Sequence, residues 1–129
     1  MRRFLLGAGA LVAIAGTAGA QTTKVTPLLA QDLAGIPGKE GAMFLVEYAP
    51  GAADPIHRHD ADVFVYVLGG SVVMQVRGAT PVTLQPGQTF HEGPGDVHLV
   101  GRNASATQPA KFLAFFVKNK GAPVLVPAQ

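Results

Sequence analysis

Along residues 21–129, apolar and polar positions alternate in short runs. Met43 to Tyr48, Val63 to Leu68, Ser71 to Val76, Pro81 to Leu84, Val97 to Val100 and Phe112 to Val117 each read as a strand. Turn chemistry separates the runs: Pro50-Gly51, Gly69-Gly70, Arg77-Gly78, Pro86-Gly87 and Gly93-Pro94-Gly95. No stretch of this region holds a helical period for three turns without a glycine or proline. Many short strands joined by Gly/Pro turns predict an all-β sandwich or barrel. Val25 to Leu33 and Val124 to Val126 are expected to add edge strands.

The first twenty residues follow a different pattern. Arg2 and Arg3 precede an apolar run from Phe4 to Ile14, and Ala18-Gly19-Ala20 offers the small-x-small sequence that signal peptidase reads. Residues 1–20 are therefore expected to be a signal peptide cleaved before Gln21, leaving residues 21–129 as one domain in the periplasm or outside the cell. Cleavage changes the charge balance. The full chain has 10 Lys+Arg and 8 Asp+Glu, and the segment carries two arginines and no acid, so the remainder is neutral. No basic stripe is left to suggest a nucleic-acid partner, and no membrane partner is expected after cleavage. The absence of cysteine excludes disulfide scaffolds, thiol nucleophiles and thiolate metal sites.

Candidate chemistry lies with the histidines. His57 and His59 are two residues apart, so on a strand both rings face one side. His98 follows a Pro-Gly turn and opens another apolar strand. Three converging imidazoles would leave open positions on a metal, as catalytic sites do. In this arrangement the sequence resembles the cupin superfamily, whose fold is a double-stranded β-helix, or jelly-roll barrel. The first cupin motif matches Gly51, His57-Arg58-His59, Val63 and Gly70. The second matches Gly87, Gly93-Pro94-Gly95, His98 and Asn103, with the sixteen residues Ser71 to Pro86 between the motifs. The resemblance implies one divalent ion (Fe, Mn, Ni, Cu or Zn) on His57, His59 and His98, a small-molecule ligand or substrate, and a homodimer.

The chain departs from the motif where the family has its acidic ligand, because Val63 cannot coordinate. Three readings follow. A set of three histidines would match certain dioxygenases of the family. Alternatively another acid takes the place of the missing one, with Glu92 a better substitute than Asp62, which should point away from Val63. Or the metal has been lost and the barrel binds a small molecule or nothing; the rival to an enzyme is a non-catalytic small-ligand or metal-binding protein of the cell envelope. His91, next to Glu92, should face the opposite way. Asp60 and Asp62 are read most simply as polar loop residues, with a role as acceptors for the histidine N–H groups as the alternative. Seven of the aromatic residues, Phe44, Phe64, Tyr66, Phe90, Phe112, Phe115 and Phe116, are expected in core or dimer packing. Asn103-Ala104-Ser105 matches a glycosylation sequon but is read as chance beside a bacterial-type signal. Intact-mass measurement of the native protein checks the processing expectation: the mass should correspond to a chain beginning at Gln21, without Met1 to Ala20.

Overall fold

The computed structural model describes residues 22–129, so the expected signal peptide and Gln21 lie outside the described residues. Ten strands run in chain order: β1 (Thr23–Asp32), β2 (Lys39–Tyr48), β3 (His57–Arg58), β4 (Ala61–Gly69), β5 (Val72–Val76), β6 (Val82–Leu84), β7 (Thr89–Glu92), β8 (Val97–Asn103), β9 (Ala110–Asn119) and β10 (Val126–Pro127). There is no helix among the described residues. The strands form two antiparallel five-stranded sheets, β1-β2-β9-β4-β7 and β10-β3-β8-β5-β6. This is the expected all-β jelly-roll barrel.

The burial of β4 follows its sequence. Ala61, Val63, Val65 and Val67 face inward, while Phe64, Tyr66 and Leu68 face out, as the two-residue period of a strand requires. β9 alternates the same way, burying Ala110, Phe112, Ala114 and Phe116. Tyr48, Val67, Val72 and Met74 are the largest fully enclosed side chains. The aromatic positions therefore divide. Phe112 and Phe116 join the core, Phe44 and Phe90 pack against it, and Phe64 and Tyr66 lie on the outer face. β1 is an edge strand and accommodates Pro27 at a bulge, where a missing N–H costs least.

Most strands are longer than the sequence pattern marks, and two short ones, β3 and β7, lie outside the marked runs. β7 is only four residues, Thr-Phe-His-Glu, three of them polar, between Pro86-Gly87 and Gly93-Pro94. Too few residues alternate there to display a period. The turn expected at Gly69-Gly70 has a specific requirement. Gly70 has φ +66°, and an added Cβ would sit 2.4 Å from the Pro109 carbonyl oxygen, so only glycine fits.

Asn103 is buried and ties three segments together. Its Nδ2 donates to the carbonyls of Ala49 at 3.1 Å and Gln108 at 2.7 Å, and its Oδ1 accepts from the Ser105 N–H at 2.9 Å. A side chain enclosed in this way cannot carry a glycan, consistent with the sequon being fortuitous. Asn103→Ala leaves buried backbone groups without partners and should cost about 2–4 kcal/mol. A thermal melt should show the midpoint falling by about 10 °C or more.

Candidate metal centre

The strand register assembles the site. In the β3/β8 pair His57 stands directly opposite His98, and cross-strand partners share a face. His59 follows β3 by one residue, and its ring centroid lies 4.8 Å from that of His57. The other sheet contributes the acid. Glu92 ends β7 directly opposite Val63 on β4, so its carboxylate enters the barrel beside the position where the cupin motif places its own acid. The Gly93-Pro94-Gly95 turn, closed by the Gly93 N–H donating to Asp96 Oδ2 at 2.7 Å, carries the chain across to β8 and His98. Candidate ligating atoms of His57, His59, Glu92 and His98 all lie within 4.8 Å of one another, and the four residues are buried.

The residues one step out of phase point away. His91 Nε2 and Asp62 Oδ1 meet at 2.9 Å on the exposed face. Asp60 pairs with Arg58 there. Both acids are turned to solvent, as the simpler reading has it, and the alternative in which they orient the histidines of the cluster is set aside. Backbone carbonyls take that role. The Pro55 carbonyl lies 2.8 Å from His57 Nδ1, and the Val124 carbonyl contacts His59 Nδ1. With Nδ1–H donated to a carbonyl, each ring presents an Nε2 lone pair.

Glu92 sits between two imidazoles, with Oε1 2.9 Å from His59 Nε2 and Oε2 3.0 Å from His98 Nδ1. The distances are those of ion pairs, but the angles do not meet hydrogen-bond geometry, and both Glu92 oxygens and both His98 nitrogens are left without a hydrogen-bond partner. Buried groups in this condition cost about 1–3 kcal/mol each, and a cation at their centre would remove the cost. Two ligands on opposite sides of an ion at ~2.1 Å stand ~4.2 Å apart, so small side-chain rotations close the cluster around one ion. The residues present thus fit a divalent metal.

Burial and charge oppose each other in the cluster. Burial disfavours the His59 cation, but the Glu92 carboxylate and the Val124 carbonyl outweigh it and hold the pKa above that of ordinary imidazole. Burial would raise Glu92, but His59, His98 and His57 together hold it below the usual carboxylate value. For His98 burial wins, and its pKa is lowered.

The cluster opens into a cavity of about 300 Å³ between the sheets. Val63, Val65, Met74, Phe44, Phe112 and Phe116 supply apolar wall. Asp54 and Tyr48 also line it, with the Tyr48 hydroxyl donating to Asp54 Oδ2 at 2.5 Å and Thr23 Oγ1 donating to Asp54 Oδ1 at 2.9 Å. None of these three stands out as a candidate in the sequence. The available signals were the alternation that turns Tyr48 inward at the end of β2 and an Asp-Pro step just before His57.

The sequence profile of the cupin domain family matches residues 44–116. No curated protein matches the chain. Among solved structures, TT1209 from Thermus thermophilus is 28% identical with a TM-score of 0.60, the alignment covering 74% of this chain and 83% of that one. The DMSP lyase DddQ from Ruegeria pomeroyi DSS-3 is 23% identical with a TM-score of 0.60, covering 68% of this chain and 43% of the lyase, so this chain spans less than half the lyase's length. An oxalate oxidase in complex with glycolate is 24% identical with a TM-score of 0.63, covering 85% of this chain and 57% of the oxidase. At these identities the lyase and the oxidase share the fold. With more than half of its length inside the family profile, and with the two-sheet barrel around that region, this chain belongs to the cupin domain family.

Proposed function

We propose that the protein is a metalloenzyme of the periplasm or cell exterior that acts on a small organic molecule, holding one divalent ion through His57, His59, Glu92 and His98. One observation carries the reading. Four buried donor residues converge, with the Glu92 and His98 polar atoms unpartnered, at the wall of a small apolar cavity. Three imidazoles and a carboxylate suit Fe, Mn, Ni, Cu or Zn. Bound there, the ion would act as a Lewis acid toward a coordinated oxygen of the substrate. The apolar walls exclude water and strengthen electrostatic interactions inside the cavity. Two of the fold neighbours are enzymes by name, an oxalate oxidase and a DMSP lyase, and this favours catalysis over simple storage. Because Glu92 joins the cluster, the case for dioxygen chemistry drawn from an acid-free set of histidines loses its premise.

A homodimer is part of the same reading. Phe64 and Tyr66 are each 48% exposed on the outer face of the five-stranded sheet containing β4, and Leu68 continues the row. A second copy would cover this face and add buried area to a small core.

Elemental analysis of protein recovered from its native compartment tests the reading, with about one divalent ion per chain expected. His98→Ala should weaken metal binding by about 100-fold or more, and Glu92→Gln by about 10- to 100-fold through loss of the ligand charge, whereas His91→Ala should remain close to wild type. Competition titration with a chromophoric chelator measures all three. Equal losses for His91→Ala and His98→Ala would place the metal elsewhere.

The apparent affinity should also depend on pH. A metal ligand must be deprotonated, and the His59 pKa is raised. Proton competition therefore begins above the ordinary imidazole range, and affinity should fall by about tenfold per unit as pH drops through that pKa. The same chelator titration repeated between about pH 5 and 9 reads the slope.

A further inference from the structure

The cavity wall carries two polar groups. One is the metal cluster. The other is Asp54, held by Thr23 from β1 and Tyr48 from β2, while its own N–H donates to the Gly101 carbonyl of β8 at 2.8 Å. Three strands from both sheets thus fix one carboxylate at the cavity wall. Neither hydroxyl neutralises its charge. No salt bridge involves Asp54 among the described residues, and no lysine or arginine lines the cavity. The other walls are apolar or aromatic, with the Tyr48 and Phe112 rings packed edge to face at a centroid distance of 5.4 Å. A half-buried carboxylate without a basic partner attracts a cation by direct charge. At the cluster a divalent ion with one carboxylate ligand keeps a net positive charge and attracts an anion.

We propose that the cavity selects a zwitterionic small molecule, its anionic group directed to the metal cluster and its ammonium group seated against Asp54. This rests on the metal reading above and adds the class of substrate. A volume of about 300 Å³ holds roughly ten waters' worth of ligand, so the molecule has about ten non-hydrogen atoms. A dicarboxylate of the same length would set its second negative charge against Asp54 with no basic residue to offset it.

Calorimetric titration of metal-loaded protein of measured metal content, at low ionic strength, tests this with three probes of equal length: 4-aminobutanoate, pentanoate and glutarate. 4-Aminobutanoate should bind at least about fivefold tighter than pentanoate, a modest factor because Asp54 is half-buried and partly screened, and glutarate should bind weakest. Asp54→Asn keeps an oxygen to accept from Tyr48 and should retain the metal while losing the preference. Equal binding of the three probes, binding of none, or a preference that survives in Asp54→Asn would overturn the proposal. Should Asp54→Asn fail to fold, the order of the probes on the wild-type protein decides. Tetramethylammonium titrated into metal-stripped protein separates the two claims. Its binding to a protein found to take up no metal would overturn the metal reading while supporting the Asp54 site. Full metal content without charge preference would overturn the Asp54 proposal alone.

Discussion

Glu92 is the group around which the interior of the barrel is organised. A carboxylate enclosed between apolar sheets is costly unless opposite charge and hydrogen-bond donors surround it. Here three imidazoles supply the surroundings, two of them within 3.0 Å, and no lysine or arginine lines the cavity in their place. The arrangement is incomplete without a further positive charge, because the Glu92 oxygens and the His98 nitrogens remain unsatisfied by one another. An ion at their centre would join the two sheets, since Glu92 belongs to one and His57 and His98 to the other. Metal loading would therefore act on stability as well as on chemistry.

The position of the acid also shapes the cavity. With the carboxylate delivered from β7, its partner Val63 on β4 is free to be apolar and forms part of the wall. Moving a ligand across one rung of a ladder keeps it on the same face and in the same neighbourhood, because directly paired residues have Cβ atoms ~5 Å apart. The substitution at position 63 and the acid at position 92 are in this sense one structural feature.

The barrel and the histidine trio could be read from the sequence because both are periodic. The turns fall at glycine and proline, the strands alternate, and the His-x-His spacing needs only a strand to put both rings on one face. Glu92 could be named as a substitute but not oriented, because β7 is too short to show which of His91 and Glu92 faces inward. Its pairing with β4 decides that, and pairing is a long-range property. The groups that orient the rings were beyond reach for a different reason. Every residue has a carbonyl, so nothing in the letters marks those of Pro55 and Val124 as the acceptors, and the acids beside the histidines drew attention instead. Nothing in the letters distinguishes Asp54, since a polar residue before a proline ordinarily marks a loop.

The contact at His59 links the site to the end of the chain. Val124, whose carbonyl orients that ring, belongs to no strand of its own and depends on the segment leading to it. That segment is fixed from inside the fold. Lys118, buried at the end of β9, pairs with Glu40 of β2 and donates to the Ala122 carbonyl at 2.8 Å. Breaking one partner of a buried ion pair leaves the other charge uncompensated, so this anchor resists displacement more than a surface pair would. The orientation of a candidate metal ligand on one sheet is thereby set through a lysine on the other, by way of the connecting chain between Asn119 and Val124. The two ends of the described chain meet the cavity from the same requirement: Val124 and Leu125 line it after β9, and Thr23 lines it at the start of β1, where its hydroxyl holds Asp54. The strands outside the two histidine motifs are therefore needed to give the motif residues their directions.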